Sequence, residues 1–277
     1  MIDDHHHLWS YSATDYPWIP EGSPLAQDQL LPELAASAKE AGITGTVVVQ
    51  ARQISEESDF LLNLADKSDL IQGVVGWVPL IDERVEEWLS TLSAHPKFKG
   101  VRHVLQDEPD AYFDRADFHR GLAKLPHHSL SYDLLIYQRQ IAPSLRLIDR
   151  HPELAIILDH IAKPEARNGR IEKDWRSGMR ELASRDNVLG VKFSGLLTEF
   201  PSGDIDPDTV RAYFEETLEI FGAERVMFGS DWPVCLLRAP SCAAWAETVR
   251  SLAATLTGHE REGVLEANAI RLYHLGA

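Results

Sequence analysis

Short apolar segments alternate with longer amphipathic segments along the whole chain. The apolar segments are rich in Val and Ile and nearly continuous, which is typical of parallel strands covered on both faces. They predict eight β-strands. The predicted strands cover residues 1–7, 45–50, 72–78, 98–102, 131–135, 154–159, 188–193 and 225–229.

The amphipathic segments carry apolar residues at the spacing of a helix. In the segment 83–92, for example, Val85, Trp88, Leu89 and Leu92 share one helical face. A strand followed by a helix, repeated along the chain, closes most simply into an α/β fold with one (β/α)8 TIM barrel. The predicted helices cover residues 28–41, 83–92, 138–150, 174–183, 208–221 and 242–256, and one more begins at Ser55.

A single barrel domain accounts for residues 1–277, because such a barrel needs ~250 residues. An open doubly wound sheet is the alternative, but no G-x-G-x-x-G motif follows a strand and no phosphate-loop lysine is present. Two long segments, 10–24 and 105–118, interrupt the pattern after the first and fourth strands. In a barrel both become loops at the C-terminal face, where active sites form.

Charge and composition narrow the classes of partner. The net charge is -16 with histidine neutral, which argues against nucleic acid and against an anionic membrane surface. The two cysteines, Cys235 and Cys242, form no zinc-binding pattern and suit a reducing compartment. The acidic start, Met1 to Asp4, is unlike a signal peptide, and no apolar run approaches the ~20 residues of a membrane span. We therefore expect a cytoplasmic protein, monomeric or homodimeric, that acts on a small molecule.

Histidines end the first predicted strand. His5 and His7 are two residues apart, so both face one side of the strand while His6 faces the other. Two imidazoles on one side supply half of a site for zinc or another transition metal. A chance cluster or an artificial tag is the alternative, although Ile2 and Leu8 continue the strand pattern and argue against a tag.

The sixth and eighth predicted strands also end on polar residues, Asp159-His160 and Ser230-Asp231. An aspartate in this place can ligate a metal or act as the general base that activates water. The alternatives are structural. Asp159 would then cap a loop, His160 would bond to the backbone, and Asp231 would be the N-cap of the next helix.

Six motifs lie along the whole chain in a fixed order. They are Ile2-Asp3-Asp4-His5-His6-His7-Leu8-Trp9, Tyr16-Pro17-Trp18-Ile19, Gly100-Val101-Arg102-His103, Leu158-Asp159-His160-Ile161-Ala162-Lys163-Pro164, Val191-Lys192-Phe193-Ser194-Gly195-Leu196 and Phe228-Gly229-Ser230-Asp231-Trp232-Pro233. Together they resemble the amidohydrolase superfamily, and most closely its sugar-lactone hydrolase branch of the L-fuconolactonase and L-rhamnonolactonase types.

The resemblance implies a role for each strand-end residue. Asp231 would be the general base, and His160 would be the catalytic imidazole of the sixth strand. Arg102 and Lys192 would contact the lactone or its hydroxyl groups. The residues implied as ligands of one divalent metal, zinc, are His5, His7, His160 and Asp231.

The metal is optional on chemical grounds, because an activated lactone is an easier electrophile than an amide. The fifth strand, which ends Tyr132-Asp133-Leu134-Leu135, lacks the bridging Lys or His of two-metal members, so two-metal chemistry is not expected.

Further side chains at strand ends and in loops are candidates for substrate binding. Aromatic ones would form walls against a sugar face, and polar ones would bind its hydroxyl groups. Loop capping or packing is the alternative role for each. The candidates are Trp18, Gln50, Asp82, His103, Tyr112 and Trp232.

The predicted function is hydrolysis of a sugar-acid lactone, of the L-fucono- or L-rhamnono-lactone type, to the aldonic acid. Two alternatives remain. A metal-dependent decarboxylase of the same superfamily would release carbon dioxide. A non-catalytic sugar-binding barrel would retain binding without Asp231.

Overall fold

The computed structural model describes residues 1–276 of the chain. Eight parallel strands form one sheet in sequential order, so each strand pairs with the next one along the chain. The strands are β1 (Ile2–His6), β2 (Gly45–Val49), β3 (Ile71–Gly76), β4 (Phe98–His103), β5 (Ser131–Leu134), β6 (Ile156–Leu158), β7 (Val188–Phe193) and β8 (Val226–Phe228).

The sheet closes between its last and first strands. The Asp231 N–H donates to the His5 carbonyl at 2.8 Å, and the His7 N–H donates to the Trp232 carbonyl at 2.7 Å. The Asp3 carboxylate adds side-chain bonds across the same seam, since it accepts from the N–H and the hydroxyl of Ser230 at 2.7 and 2.5 Å. The chain therefore forms a (β/α)8 TIM barrel, as the sequence predicts, and the open-sheet alternative is wrong.

Helices follow every strand and cover the outside of the barrel. They are α1 (Leu31–Ala41), α2 (Glu56–Ala65), α3 (Val85–Leu92), α4 (Ala116–Leu122), α5 (Ile141–Asp149), α6 (Lys173–Ala183), α7 (Leu196–Glu199), α8 (Pro207–Phe221), α9 (Cys242–Ala253), α10 (Gly258–Glu262) and α11 (Asn268–Leu272). Among residues 1–276, none of the helices combines the length and the apolar character that crossing a bilayer requires.

All eight predicted strands and all seven predicted helices are present, with ends that differ by a few residues. The sequence pattern did not indicate α4, α7, α10 or α11, which are at most seven residues long. Helices this short hold too few apolar positions to show a helical period.

Apolar side chains fill the N-terminal end of the barrel. They come from β1, β2, β3, β6 and β8, and the C-terminal segment that includes α11 closes this end from below. Above this apolar layer the barrel interior becomes polar, and that polar layer supports the site. The apolar layer consists of Ile2, Val47, Val49, Val75, Ile157, Met227, Ala269, Leu272, Tyr273 and Leu275.

Candidate active site

Side chains from four strand ends converge at the C-terminal mouth of the barrel. They line a cavity of about 670 Å³. Carboxylates, amides and one indole from the loops after β1, β2 and β4 surround its entrance. The strand-end residues in its wall are His7, Arg102, His160 and Asp231, and the residues nearer the entrance include Thr14, Asp15, Trp18, Arg52, Gln53, Gln106, Asp107 and Lys163.

Three imidazoles surround the Asp231 carboxylate. Its Oδ1 lies 3.5 Å from His7 Nε2, 3.9 Å from His160 Nε2 and 4.0 Å from His5 Nε2. The other ring nitrogen of His7 bonds to the Val49 carbonyl at 2.8 Å. A carbonyl only accepts, so Nδ1 of His7 carries a proton, and a neutral His7 points its Nε2 lone pair at Asp231. Two acceptors that face each other require a proton or another cation between them.

The backbone around these residues adopts conformations that non-glycine residues rarely adopt. Asp231 has φ 55°, and residues 160–163 all have φ between 39° and 57°. The Asp231 conformation is held on both sides, because its N–H donates to His5 and its carbonyl accepts from Cys235 at 2.9 Å. Backbone strain of this kind persists where the surrounding structure holds it, and it concentrates at functional sites.

Gly195 makes room for the His160 ring. A Cβ at this position would lie 2.6 Å from the ring atoms of His160, and Gly195 itself has φ +64°. The preceding residue, Ser194, bonds through Oγ to His160 Nδ1 at 2.8 Å. The loop after β7 therefore sets the orientation of this imidazole and leaves its Nε2 towards Asp231.

Arg102 forms part of the cavity floor. Its guanidinium is almost buried and donates to Asp159 at 3.1 Å and to the Gln50 carbonyl at 2.5 Å. One of its NH groups also lies 3.2 Å from His5 Nε2. The guanidinium is thus fixed by three partners, and Gln50 contributes by positioning it.

A buried ionic layer lies beneath this floor. The Lys192 ammonium contacts Asp133 at 2.5 Å, Asp159 at 2.9 Å and His5 Nδ1 at 3.1 Å. The Tyr273 hydroxyl donates to Asp133 at 2.7 Å. Burial lowers the pKa of Lys192, but Asp133 and Asp159 raise it more, so the net shift is upwards and the ammonium stays charged.

Asp4 belongs to the same layer and has no hydrogen-bond partner among the described residues. Burial raises the pKa of its carboxyl group well above the usual range, although Lys192 acts in the opposite direction. A protonated Asp4 avoids an uncompensated buried charge, which would be costly.

The protonation states around the cavity follow from burial and neighbouring charge. Burial raises the pKa of Asp231, but His160, His7 and Lys163 together lower it by a larger amount, so the net shift is downwards. Burial lowers the pKa of His160 to about 4. Burial and the charge of Lys192 lower the pKa of His5 well below its usual value. At neutral pH the site therefore holds an anionic Asp231 beside neutral His5 and His160.

The structure brings together most of the catalytic and metal-binding candidates. His7, Arg102, His160 and Asp231 line the cavity, and Trp18 lines its entrance with 49% of its surface exposed. His5 lies just beneath, fully buried, with its ring centroid 4.3 Å from that of His160.

Two polar candidates for substrate binding lie below the cavity instead. Gln50 is fully buried, and its side chain meets Arg102. Lys192 is also fully buried, and its ammonium is already bound by Asp133 and Asp159. Neither side chain lines the cavity, so the expected direct contacts with a substrate are not available to them in this conformation.

His103 and Tyr112 are placed outside the barrel wall. Strand alternation turns Arg102 inward and His103 outward, where its ring stacks on Tyr112 at 5.0 Å and bonds to Glu108 at 3.0 Å. Phe118 of α4 and the Arg115 guanidinium also pack against this stack. These two candidates pack between the barrel and its outer layer and do not line the cavity.

Asp82 and Trp232 are also absent from the cavity wall. Asp82 accepts a bond from the Arg84 N–H at 2.7 Å and so acts in a turn at the start of α3. Trp232 is almost buried, with its ring 6.4 Å from that of His6. His6 points away from the site and bonds to Thr46 at 3.0 Å, as the alternation of β1 predicts.

Sequence reasoning missed several residues of the cavity. Lys163 follows His160 by three positions within the same motif, which was a signal for it. Gln106 and Asp107 lie in the loop that was singled out for its length. Arg52 and Gln53 follow β2 directly, and only their position after a strand end could have indicated them.

The donor set fits a divalent transition metal. Ligand atoms of His5, His7 and Asp231 lie within 4.8 Å of one another, and so do those of His5, Asp159 and His160. The Nε2 lone pair of His7 and the Asp231 carboxylate lie 3.5 Å apart, and a cation bound to both would relieve their repulsion. His7 Nδ1 and the corresponding nitrogen of His160 are each held by an oxygen, as is usual for metal-binding histidines.

Comparison with known proteins agrees with the fold. The amidohydrolase family profile matches residues 2–275. The chain therefore belongs to the amidohydrolase family. An L-fucono-1,5-lactonase of Burkholderia multivorans is 38% identical to it over 291 residues, which cover 99% of this chain and 96% of that protein. An L-fucono-1,5-lactonase of Burkholderia ambifaria is 35% identical and covers 85% of this chain and 81% of its own length.

A solved structure is similarly close. The crystal structure of an amidohydrolase from Burkholderia multivorans with bound zinc has a TM-score of 0.94 to this chain at 38% identity. The match covers 99% of both chains. The arrangement of the whole barrel is therefore shared with an enzyme in which zinc has been observed.

Proposed function

We propose that this chain hydrolyses a sugar-acid lactone, and that L-fucono-1,5-lactone or a close stereochemical relative is its substrate. The observation that carries the proposal is an anionic Asp231 within 4.0 Å of three imidazoles, at the base of a cavity with a polar entrance. The similarity to two L-fucono-1,5-lactonases over most of the chain supports the same reaction.

Asp231 accepts a proton from water in this mechanism. The water oxygen bonds to the lactone carbonyl carbon, and the carbonyl oxygen gains negative charge. The bond between that carbon and the ring oxygen then breaks, and the ring oxygen takes the proton back from Asp231. The product is an open-chain aldonic acid, which loses a proton to solvent at neutral pH. Because its folded-state pKa is low, Asp231 is ionised and ready to accept the first proton.

Arg102 faces the developing charge on the carbonyl oxygen, and His160 joins it when no metal ion occupies its Nε2. Arg102 is held by Asp159 and Gln50 before any substrate binds, so little reorganisation is needed during the reaction. One well-placed donor of this kind lowers a barrier by ~3 kcal/mol. Lys192 supports the arrangement from below, because its ammonium holds Asp159 and faces His5.

A metal ion is a further part of the proposal. His5, His7, His160 and Asp231 would hold one divalent ion, and the zinc in the related Burkholderia multivorans structure supports that choice. When bound, the ion would supply Lewis-acid polarisation of the carbonyl or of water.

The entrance favours an uncharged, hydroxylated substrate. Arg52 is already bound to Glu57 and lies 3.4 Å from Asp15, and Arg102 is bound to Asp159. Apart from the Lys163 ammonium, the remaining polar groups are chiefly amides, carboxylates and a hydroxyl, which suit sugar hydroxyl groups. We also propose a cytoplasmic location, which the scarcity of cysteine supports.

The test is a panel of aldonolactones in a weakly buffered indicator assay, with the purified protein before and after chelation. We expect rapid acid release from L-fucono- or L-rhamnono-lactone and its loss in Asp231→Asn. Activity that survives verified metal removal would assign carbonyl polarisation to Arg102 and His160. Absence of turnover with every lactone, with and without added zinc, would refute the proposal and bring the decarboxylase assay forward. Neither the decarboxylase nor the binding-barrel alternative has a specific observation in its favour.

A further inference from the structure

A second cavity lies next to the catalytic one at the C-terminal end of the barrel. It has a volume of about 630 Å³, within the ~300–1,000 Å³ of small-molecule sites. The loops after β5, β6 and β7 form its walls. The mechanism proposed above makes no use of it. Its polar wall includes Tyr137, Gln138, Arg139, Lys163, Arg167 and Glu199.

Lys163 forms the boundary between the two cavities, because its side chain lines both. Its ammonium lies 3.7 Å from Glu199 Oε1, which is beyond hydrogen-bond distance, and 5.4 Å above the Tyr137 ring. Only 16% of the side chain is exposed. An ammonium this close to both cavities, with a loosely placed counter-charge, is open to a further anionic partner.

The other cations of the catalytic cavity are engaged more closely. Arg102 contacts Asp159 at 3.1 Å, and Arg52 contacts Glu57 at 3.3 Å. Among the described residues that line the catalytic cavity, Lys163 is therefore the cation most available to a carboxylate.

The second cavity adds two more cations to its wall. Arg139 lies 5.3 Å from the centroid of the Tyr137 ring, on which Lys163 also sits. Arg167 follows in the loop after β6, and both arginines are exposed to solvent. The same wall carries two carboxylates, those of Glu165 and Glu199. The excess of positive groups is local, in a chain whose net charge is -16.

Lactone hydrolysis changes the charge of the bound molecule. An uncharged ring enters, and an open-chain carboxylate is formed beside the Asp231 carboxylate, with Asp107 and Asp15 at the entrance. Like charges repel, so the new carboxylate is held poorly at Asp231. The loosely paired cation of the catalytic cavity is Lys163, which also lines the second cavity.

We propose that the second cavity is a binding site for open-chain polyhydroxy monocarboxylates, the class to which the product belongs. The carboxylate binds Lys163, and the hydroxylated chain extends over Tyr137 between Arg139 and Arg167. This inference rests on the proposed lactone hydrolysis for the identity of the ligand, but the site itself is testable without turnover.

The experiment is isothermal titration of the full chain with L-fuconate and with L-fucitol, an uncharged probe with the same number of carbons. We expect L-fuconate to bind roughly 10- to 100-fold more tightly, as a hydrogen bond to a charged group allows. Lys163→Met should remove this difference, and Lys163→Arg should keep it. Arg139→Met and Arg167→Met should each weaken L-fuconate about twofold to fivefold.

Arg170→Met is the matched control. It removes a cation from the same loop, but Arg170 pairs with Glu172 at 3.0 Å and lines neither cavity. Its affinity for L-fuconate should equal that of the unmodified chain. Thermal unfolding of each variant checks its folding, and Lys163→Arg keeps the test valid if Lys163→Met does not fold.

Two outcomes overturn the assignment. Equal affinity for L-fuconate and L-fucitol in the unmodified chain excludes a carboxylate site. Discrimination that depends on Lys163 but not on Arg139 or Arg167 places the carboxylate in the catalytic cavity instead. Lactone assays separate the two proposals: turnover without L-fuconate binding refutes the second site alone, and L-fuconate binding without turnover refutes the function alone.

Discussion

The two ends of the barrel are built from the same strands but have opposite interiors. On β6 and its extension, Ile157 packs in the apolar layer at the N-terminal end, and two residues later Asp159 binds Lys192 and Arg102. The N-terminal end is closed by Leu275 and its neighbours, whereas the C-terminal end opens into two cavities. The comparison teaches that residues that stabilise the fold and residues that support the site can lie only two positions apart on one strand.

The ionic layer joins the two ends. Tyr273 packs its ring in the apolar layer and donates its hydroxyl to Asp133, which holds Lys192. Lys192 in turn faces His5 next to the cavity. A substitution at the N-terminal end can therefore affect the site through this chain of contacts. Substitutions in the apolar layer, in the ionic layer and in the cavity measure how strongly stability and kcat are coupled.

The largest expected effect is on catalysis at the open end. Asp231→Asn removes the base, and kcat should fall by roughly 10²- to 10⁴-fold. The melting temperature should change little or fall slightly, because the lowered pKa of Asp231 means that its charged form is stabilised in the folded state. Lactone kinetics and thermal unfolding measure both. Asp82→Asn, outside the cavity, should retain normal kinetics. Substantial activity in Asp231→Asn would contradict the assigned base.

Lys192→Met should affect both ends. It leaves Asp133 and Asp159 buried without their ammonium, and losing one partner of a buried ion pair costs about 3–5 kcal/mol. His5 also loses a contact, so kcat should fall as well. Urea unfolding and lactone kinetics provide the two measurements, with Lys192→Arg expected to restore part of each. A stable, fully active Lys192→Met protein would show that the layer has no supporting role.

Ile157→Ala should affect stability alone. It opens a cavity in the apolar layer and should lower the free energy of unfolding by about 2–5 kcal/mol. Well below its melting temperature, the variant should keep kcat/KM within about threefold of the unmodified chain. Urea unfolding and kinetics at low temperature test this. A large loss of kcat without loss of stability would remove the separation between the two ends.

Tyr273→Phe tests the connection directly. It removes one hydroxyl that donates to a buried carboxylate, which is worth about 1.5–3 kcal/mol of stability. If the ionic layer transmits the change, kcat should fall together with stability. An unchanged kcat in a destabilised variant would show that coupling stops at Asp133. Leu272→Ala serves as the control, because Leu272 lies beside Tyr273 in the apolar layer but has no polar group that contacts Asp133.

A separate expected effect is the response of stability to mild acid. The folded-state pKa is lowered for His5 well below its usual value, for His6 to about 3, and for His151 and His160 to about 4. The unfolded chain therefore binds these protons below about pH 6.5, whereas the folded chain does not.

Stability should consequently fall as the pH drops from about 6.5 to about 4. The raised pKa values of Asp3, about 7, and of Asp4, Asp133 and Glu199 act in the opposite direction. With His103 and His119, whose pKa values are also lowered, six histidines outweigh these four carboxyl groups. Each net proton changes the free energy of unfolding by about 1.4 kcal/mol per pH unit. Urea unfolding at pH 7, 6 and 5 measures the slope, and a stability that stays constant or rises in acid would contradict it.

Much of the fold was predictable because its signals are local. Apolar runs and helical periods identified every strand and seven helices, and their alternation indicated the barrel. Motifs at strand ends identified His7, His160 and Asp231, since parallel strands bring their C-terminal ends to one edge. The short helices α4, α7, α10 and α11 were missed because they hold too few residues for a period.

The substrate-binding candidates were harder to predict for a physical reason. Arg102 faces inward and His103 faces outward because side chains alternate along a strand. Both belong to one motif, and the sequence therefore suggested both as substrate-binding residues. Lys192 does face inward, yet it lies below the cavity, and Asp133, 59 residues away in sequence, binds it there. Height along the barrel axis cannot be deduced from a local pattern.

The sequence by itself determined the barrel, the strand ends that carry histidine and aspartate, and the likeness to sugar-lactone hydrolases. Only the tertiary structure decided which charged side chains reach the cavity and which form ion pairs with one another beneath it. It also placed Lys163 between two cavities, beside Glu199 and Tyr137 from other loops. These outcomes depend on contacts between distant segments, because a charge in a barrel is free or paired according to what the neighbouring strands present at the same height.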